Sequence, residues 1–250
     1  MCVAIYKPAG VPTPKLEILK QCWEANPDGA GFALLTGDEK HAIEIHKGFM
    51  TWEAFTAAFQ QHHLADFAGD LLLHFRIATH GGVSPGNTHP FSITQDVKIL
   101  QHTSVLTNYA LIHNGILPVA PKVAGISDTM ELCRRLAGLH DLPAVLALLG
   151  DFIGDNKIAV MTRDKVHLAG KWETVDGVYF SNTFWQHNFF DDWYDDEPRI
   201  PNRFELRLLS QGYCPDCDGE VITGDYGFFC LECEATFTVD CDMTLDQLKK

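Results

Sequence analysis

The sequence contains few basic residues and no long apolar run. Its 250 residues include 19 Lys and Arg against 33 Asp and Glu, which gives a net charge of −14. Nucleic acids and anionic lipid surfaces are bound through clustered cations, so this charge balance disfavours both kinds of partner. No apolar stretch approaches the roughly 18 residues of a membrane-spanning helix. Residues 1–10 lack a basic segment followed by an apolar run, so we expect no signal peptide and a cytoplasmic protein.

The chain does contain enough apolar residues for a substantial core. Hydrophobic residues make up 46% of the sequence, and the length fits one large domain with a small module. An acidic run at 191–197 is followed by Pro198 and Pro201, and the chain then becomes rich in Cys, Gly and Asp. We therefore expect a large domain at 1–208 and a small module at 209–250. In the large domain the sequence predicts paired strands at 30–35 and 42–46, a helix capped by Thr51 and a helix at about 142–149. In the small module it predicts short strand-like pieces at 228–229 and 236–239.

Cys2 is the first candidate for a catalytic residue, because it directly follows the initiator methionine. An aminopeptidase can remove Met1 before so small a side chain, and removal leaves a cysteine with both a thiol and a free α-amine. The thiol can act as a nucleophile, and the amine, with a pKa of about 7.7–8.0, can act as its general base. The alternative interpretation is a small apolar residue at the start of a buried strand.

Three later segments carry groups that cleavage of an amino-acid amide requires. Arg76 ends a strand pattern and enters a loop, where its guanidinium can clamp an α-carboxylate bidentately. Asn114 and Gly115 form a turn that offers a side-chain amide and a backbone N–H to an oxyanion. Asp128 lies at the start of a predicted helix, and its carboxylate can pair with an α-ammonium.

Each of these segments also has a simpler interpretation. Asn-Gly is a common hairpin turn, Ser-Asp-Thr before a helix is ordinary capping, and an Arg at a strand end is often solvated. Histidines are common metal ligands, but the spacings here match no helical His-x-x-x-His pattern. We therefore expect no catalytic metal among the histidines at 74, 80, 89, 102 and 113.

Four segments resemble, in their order and residue sequence, those of the class II glutamine amidotransferases, which are N-terminal-nucleophile hydrolases. The resemblance covers about residues 2–185 and implies an α+β fold. In this family the fold is a four-layer αββα sandwich, with two antiparallel sheets packed face to face between helices. The matching segments are Asp28-Gly29-Ala30-Gly31, Arg76-Ile77-Ala78-Thr79-His80-Gly81, Asn114-Gly115 and Ser127-Asp128-Thr129.

The resemblance implies a role for each matched residue. Cys2 is expected to be the nucleophile that forms a thioester with glutamine, while Asn114 and Gly115 form the oxyanion hole. The glutamine pocket is expected to contain Arg76 and Asp128, which hold the α-carboxylate and α-ammonium, together with Thr79 and His80.

The sequence departs from the hexosamine-phosphate synthases, whose loop it most resembles. They have Trp where Ile77 stands and Glu where Met130 stands, and the chain has no room for their sugar-isomerising domains. We therefore expect an enzyme subunit that cleaves glutamine and delivers ammonia to an acceptor on a partner protein. Two alternatives stay open. One is a hydrolase of another γ-glutamyl amide, because residues 87–91 resemble the corresponding segment of small family members that only cleave such amides. The other is a non-catalytic binding or assembly protein.

The C-terminal module carries the strongest metal-binding pattern in the chain. Two C-x-x-C pairs are separated by twelve residues, which is typical of a zinc ribbon with a structural Cys₄ site. A module of this size has too small a core to fold without such a staple. Nine acidic and two basic residues at 210–250 disfavour nucleic acid and favour docking to a protein. The expected zinc ligands are Cys214, Cys217, Cys230 and Cys233.

Overall fold

The structure of the chain is a computed structural model, which divides it into two compact units at 1–186 and 187–250. It describes residues 2–36, 42–78, 82–137, 139, 145, 153–186, 208–209, 211–217, 219–224, 227–230, 232 and 235–238. The division falls before the expected boundary at 208/209. Residues 187–207 lie outside the described residues, so that boundary stays a prediction.

The large unit mixes short helices with antiparallel strands. In chain order its described elements are β1 (Val3–Lys7), α1 (Leu16–Ala25), β2 (Ala30–Leu35), β3 (Ile43–Phe49), α2 (Trp52–Gln61), β4 (Leu71–Phe75), β5 (Phe91–Ser92), α3 (Val97–Gln101), β6 (Ser104–Thr107), β7 (Ala110–Asn114), α4 (Asp128–Leu136), β8 (Lys157–Met161), β9 (Val166–Ala169), β10 (Glu173–Val175) and β11 (Val178–Phe180).

Within the described residues these strands form two sheets. The first has the order β10-β11-β1-β4-β2-β3-β6 and the second the order β5-β7-β8-β9. Every strand pair in both sheets is antiparallel. The pairing of β2 with β3 confirms the strand partners expected at 30–35 and 42–46.

The two sheets pack face to face through one set of alternate residues. Successive side chains of a strand point to opposite faces, so residues of the same parity share a face. Ala4, Ala33 and Leu72 of the first sheet form one core cluster with Ala110 and Ala159 of the second. The many alanines in this cluster leave room for two sheets to approach closely.

The opposite faces of both sheets are covered by helices. Ile5, Phe32 and Leu73 pack with Leu19 of α1 and Phe55 of α2 in a second core cluster. On the other side of the molecule, Leu111 and Val160 pack with Met130 and Cys133 of α4. The described layers therefore follow in the order helices, sheet, sheet, helix. The helix expected at 142–149 lies almost entirely outside the described residues.

Hydroxyl side chains start two of the helices. The Thr51 hydroxyl accepts a hydrogen bond from the Ala54 N–H at 3.2 Å, which confirms the expected cap of α2. The Ser127 hydroxyl accepts from the Met130 N–H at 3.2 Å and caps α4. This cap fixes where α4 begins and so places Asp128 at its first position.

The small unit contains a three-stranded antiparallel sheet in its described part. Its strands are β12 (Val221–Gly224), β13 (Gly227–Cys230) and β14 (Thr236–Thr238). The last two agree with the strand-like pieces expected near 228 and 236. Phe228, Phe237 and Leu209 form its small core with Cys214 and Cys230. Across both units, none of the described helices has the length and apolarity that a membrane crossing requires.

Gly31 allows close backbone packing near one end of the space between the sheets. A Cβ at this position would lie 2.2 Å from the His89 carbonyl oxygen and 2.6 Å from Lys47 Cβ. Lys47 cannot yield easily, because its ammonium donates to the carbonyls of Gly86 at 3.0 Å and Leu100 at 2.7 Å. Only glycine fits this position without moving backbone.

We predict that Gly31→Ala lowers the free energy of unfolding by about 1–3 kcal/mol, because the added methyl overpacks a site bounded by backbone. The matched control is Gly69→Ala, where the closest neighbour is the flexible Phe67 ring at 2.9 Å. Urea unfolding of both variants measures the difference. Equal destabilisation would contradict the steric account.

Candidate active site

The candidate site lies at one end of the space between the two sheets. β1 pairs with β4 so that Val3 faces Phe75, and continuing this register by one residue places Cys2 opposite Arg76. Both residues share parity with the inward-facing Ala4 and Leu72. Asn114, at the end of β7, has the parity of the inward-facing Ala110. Strand alternation therefore points all three toward the same space.

Cys2 is held by the backbone on both sides. Its thiol lies 3.4 Å from both the N–H and the carbonyl oxygen of Ile77, and its own carbonyl accepts from Asn182 Nδ2 at 2.8 Å. Burial raises the pKa of the Cys2 thiol, and the Ile77 hydrogen bond and the Arg76 charge partly oppose the increase. The resting residue is therefore mainly a thiol that needs a base.

Asn114 is buried and oriented by Ser181. Its Nδ2 donates to the Ser181 hydroxyl at 3.0 Å, and the same hydroxyl accepts from the Ala4 N–H at 2.9 Å. Ser181 thus connects Asn114 in the second sheet with β1 in the first, two residues from Cys2. A side-chain amide has two N–H donors, so the Ser181 bond leaves a second donor for a ligand.

Gly115 follows Asn114 in a conformation that only glycine adopts readily. Its φ is +136°, and a Cβ would lie 2.1 Å from Asn156 Oδ1. The Asn156 amide is itself fixed, because its Oδ1 lies 2.8 Å from His113 Nε2 and its Nδ2 donates to the Ile153 carbonyl at 2.6 Å. The turn backbone therefore rests on a rigid polar support.

His113 extends this support to the helix that carries Asp128. Its Nδ1 lies 2.8 Å from the Thr129 hydroxyl. Since Asn156 Oδ1 can only accept, Nε2 carries the proton and Nδ1 accepts from Thr129. Burial lowers the pKa of His113, which agrees with this neutral form.

Asp28 ties the loop after β4 to the start of β2. Its Oδ2 accepts from the Ala78 N–H at 2.7 Å, its own N–H donates to the Arg76 carbonyl at 2.9 Å, and the Arg76 N–H donates to the Gly29 carbonyl at 2.9 Å. The loop residue Arg76 is thus fixed through its backbone. Burial lowers the Arg76 pKa, while the negative charges of Cys2, Asp28 and Asp128 oppose the decrease.

Asp128 faces a cleft at the first position of α4. Its carboxylate accepts from the Leu117 and Thr129 N–H groups, each at 2.8 Å, and the positive end of the helix dipole favours its charge. A cavity of about 350 Å³ is lined by Asp128 and by residues 116–121. Two larger cavities, of about 450 Å³ each, lie around Asn108 and Tyr109, and Cys2 lines neither of them.

The structure brings five of the expected residues to one place and leaves two outside the described residues. Cys2 and Asp128 each interact electrostatically with Arg76, and Asn114, which precedes Gly115, is linked to β1 through Ser181. The expected pocket residues Thr79 and His80 lie outside the described residues.

Three polar residues of the site were not singled out from the sequence. They follow unrelated stretches of chain and match no motif, so only the fold reveals that they support Cys2, Asn114 and Gly115. They are Asn156, Ser181 and Asn182.

Three of the histidines considered for a metal are buried near the site. His74 Nε2 lies 3.0 Å from the His113 carbonyl oxygen, and the ring centres of His74 and His89 are 4.1 Å apart. Burial lowers the pKa of His74 to about 3, so it is neutral and donates to that carbonyl. His74 and His113 thus make hydrogen bonds, and His74 and His89 pack against each other.

In the small unit, three of the four expected zinc ligands converge. The sulfur atoms of Cys214, Cys217 and Cys230 all lie within 4.8 Å of one another, and those of Cys217 and Cys230 are 3.5 Å apart. Each sulfur accepts a backbone N–H from two residues ahead, at 3.4–3.5 Å, which stabilises thiolate charge. This arrangement fits a soft divalent metal. Cys233 lies outside the described residues.

No family model matches the chain. It is 30% identical over 122 residues to glutamine–fructose-6-phosphate aminotransferase (isomerizing) of Francisella tularensis subsp. tularensis. That match covers 48% of this chain and 19% of the relative, so the chain spans a small part of the relative's length. A solved structure, glutamine phosphoribosylpyrophosphate amidotransferase from B. subtilis with ADP and GMP, superposes with a TM-score of 0.47 at 20% identity. The superposition covers 74% of this chain and 42% of that one. Both names describe an amino or amido transfer that involves glutamine.

We predict that the rate of Cys2 alkylation by iodoacetamide increases with pH, with a midpoint at higher pH than that of free cysteine. The reason is that burial raises the thiol pKa. Arg76→Gln should shift the midpoint further upward, since it removes a positive charge beside the thiolate. Lys171→Gln, at a side chain that is 88% exposed, is the charge control. Mass spectrometry of the Cys2 peptide measures the rate, and a midpoint below that of free cysteine would contradict the assignment.

Proposed function

We propose that this chain is a class II glutamine amidotransferase subunit of the N-terminal-nucleophile type. It cleaves the γ-amide of glutamine through a Cys2 thioester. The observation that carries the proposal is the strand pairing that places Cys2 opposite Arg76, with Asn114 directed toward the same inter-sheet space and the Asp128 charge acting on Arg76. The similarity to a glutamine-dependent aminotransferase supports the same reaction class.

In the proposed reaction, Cys2 supplies both the nucleophile and the base. Removal of Met1 exposes the α-amine, which takes the thiol proton as the sulfur attacks the γ-carbonyl carbon. The tetrahedral intermediate then collapses, the C–N bond breaks, and the amine returns the proton to the departing ammonia. Water hydrolyses the thioester to release glutamate. A cysteine thiol is mainly protonated at neutral pH, so its attack needs a local base of this kind.

Asn114 and Gly115 stabilise the oxyanion in this account. The free donor of the Asn114 amide and the Gly115 N–H would act on the oxygen that gains charge during attack. Ser181 and Asn156 hold these donors in place before substrate binds, as electrostatic stabilisation requires. They are positioning residues, since their contacts are to Asn114 and Gly115.

Arg76 and Asp128 hold the amino-acid end of the substrate. The buried guanidinium suits a planar carboxylate, and the half-buried Asp128 carboxylate suits an ammonium. Thr79 and His80, in the loop that follows Arg76, complete the pocket in this proposal. Arg76 and Asp128 thus select a free α-amino acid, and Cys2 with the oxyanion donors acts on its side-chain amide.

The ammonia is passed to an acceptor site on a partner protein in our proposal. The relative is much longer than its matching segment, so its name describes a longer protein than the part that aligns with this chain. The competing function is hydrolysis of another γ-glutamyl amide, with water as the final acceptor. Glutamate release from glutamine and from a panel of γ-glutamyl compounds, with and without co-purifying proteins, distinguishes the two. Release from no compound would leave a non-catalytic binding protein.

We predict that Cys2→Ala abolishes glutamate release, and that Asn114→Ala lowers kcat by about 10²–10³-fold, the usual loss for one oxyanion donor. Asn108→Ala changes an exposed Asn of the same region and should leave the rate unchanged. Thermal unfolding verifies that all three variants are folded. A loss of less than tenfold in Asn114→Ala would mean that Asn114 is only a turn residue.

Arg76→Lys should raise the KM for glutamine, because an ammonium cannot reproduce the bidentate fork of a guanidinium. Asp128→Asn should do the same by removing the charge opposite the substrate ammonium. Arg163→Lys, at an exposed position, is the control. If both variants bind glutamine as the parent does, the substrate is not held as an α-amino acid.

We also propose that Cys214, Cys217, Cys230 and Cys233 bind one structural zinc and that the module around them docks to a protein partner. Cobalt substitution should give thiolate-to-metal charge-transfer bands, which Cys217→Ser with Cys230→Ser should remove. Chelation should unfold this module, since metal binding supplies much of its folding energy. Absence of these bands in the parent chain would refute the metal site.

A further inference from the structure

A second group of potential metal ligands lies in the large unit, on the helix-covered face of the first sheet. Glu44 and His46 are alternate residues of β3, so their side chains share a face. His62 caps the C-terminus of α2, the helix that follows β3. One nitrogen from each histidine and one Glu44 oxygen all lie within 4.8 Å of one another.

The close contacts in this group are not those of a satisfied hydrogen-bond network. His46 Nε2 lies 2.6 Å from Glu44 Oε1, yet among the described residues this buried nitrogen has no partner with hydrogen-bond geometry. The rings of His46 and His62 are 4.1 Å apart and tilted by 52°. Two imidazoles and a carboxylate are thus packed together, and the short His46–Glu44 contact is not a regular hydrogen bond.

The surroundings hold the group in place. The Phe32 ring packs on both histidines, with ring-centre distances of 5.2 Å to His46 and 5.3 Å to His62. The side chains of His46 and Glu44 are 17% and 30% exposed, so the group is shielded on one side and reachable by solvent on the other. A hydrated ion can therefore reach ligands whose orientation is already limited.

We propose that Glu44, His46 and His62 form a binding site for a divalent transition-metal ion, with Zn²⁺ as the preferred occupant. Two imidazole nitrogens and one carboxylate oxygen are a common zinc ligand set. Bonds of about 2.0–2.2 Å place tetrahedral ligand atoms roughly 3.3–3.5 Å apart, so small side-chain rotations suffice. Hard ions such as Mg²⁺ and Ca²⁺ favour oxygen ligands and fit this set poorly.

The ion would connect β3 to the end of α2 and so fasten this helix to the sheet. Three protein ligands leave a fourth position for water, which makes the ion exchangeable, unlike one held by four cysteines. The site uses none of the residues proposed for glutamine cleavage. The two proposals can therefore be tested independently of each other.

Metal content of the full chain tests the site. We expect the parent, equilibrated with Zn²⁺ and desalted, to hold one more zinc per chain than the Glu44→Gln/His62→Gln double variant. These replacements keep side-chain size while removing the ligand charge or nitrogen. His63→Asn is the matched control, because His63 is exposed, adjacent in sequence and left-handed at φ 51°, a conformation that Asn tolerates. It should keep the parent stoichiometry.

Cobalt separates this site from the cysteine cluster. Cobalt held by Glu44, His46 and His62 absorbs without thiolate charge-transfer bands, and the double variant should lose this absorption. Any thiolate charge-transfer bands from the cysteine cluster should remain in that variant. Equal zinc content and equal cobalt spectra in parent and double variant would overturn the proposal.

A second measurement needs no variant. Zn²⁺ titration followed by NMR should shift the imidazole resonances of His46 and His62 but not those of His63. Unshifted His46 and His62 resonances would overturn the proposal even if the variants failed to fold.

Discussion

The antiparallel pairing of β1 with β4 is the constraint on which the candidate site depends. It places Cys2 opposite Arg76, and strand alternation turns both toward the space between the sheets. A shift of one residue in this register would move Cys2 to the helix-covered face. The register is fixed by burial on both faces of β1, since Ala4 packs between the sheets while Val3 and Ile5 pack under the helices. The same packing contacts of β1 therefore stabilise the core and fix the geometry of the site.

The second consequence of this arrangement is electrostatic. Arg76 is 4% exposed, and a guanidinium taken out of water is costly unless anions compensate it. The Asp28 and Asp128 carboxylates supply negative charge around it, and both already accept backbone N–H groups. In our proposal, a substrate carboxylate lies beside this guanidinium. Burial also raises the Cys2 pKa, so the thiol stays protonated at rest although the Arg76 charge partly opposes this increase.

Much of the site could be predicted from the sequence because short motifs carry it. The segments with Cys2, Arg76, the Asn114-Gly115 turn and the start of α4 are each visible locally, but each alone also has a simpler interpretation. Their order and the family resemblance single them out together. The supporting residues could not be predicted in this way. Ser181 contacts Asn114 across 67 positions of chain, and Asn182 contacts Cys2 across 180. These contacts exist only because β11 pairs with β1, and a non-local strand pairing leaves no local signature.

The fold shows the same division between local and non-local information. The caps at Thr51 and Ser127 and the β2–β3 pair follow from residues close in sequence. The short strands β5 and β6 were not expected, because two to four residues give no clear periodicity. The group at Glu44, His46 and His62 was also missed, since the alternation in β3 indicates a shared face but not that the end of α2 meets it.

The central claim is that Cys2, with a free α-amine, attacks the side-chain amide of a bound glutamine. The most direct test treats the purified chain with a glutamine analogue that carries a diazoketone in place of the amide. The reacted peptides are then identified by mass spectrometry. The account predicts one adduct, on a Cys2 that has become the N-terminal residue, and protection of Cys2 by excess glutamine. Labelling of a Cys2 that still follows Met1, or labelling that glutamine does not slow, would contradict it.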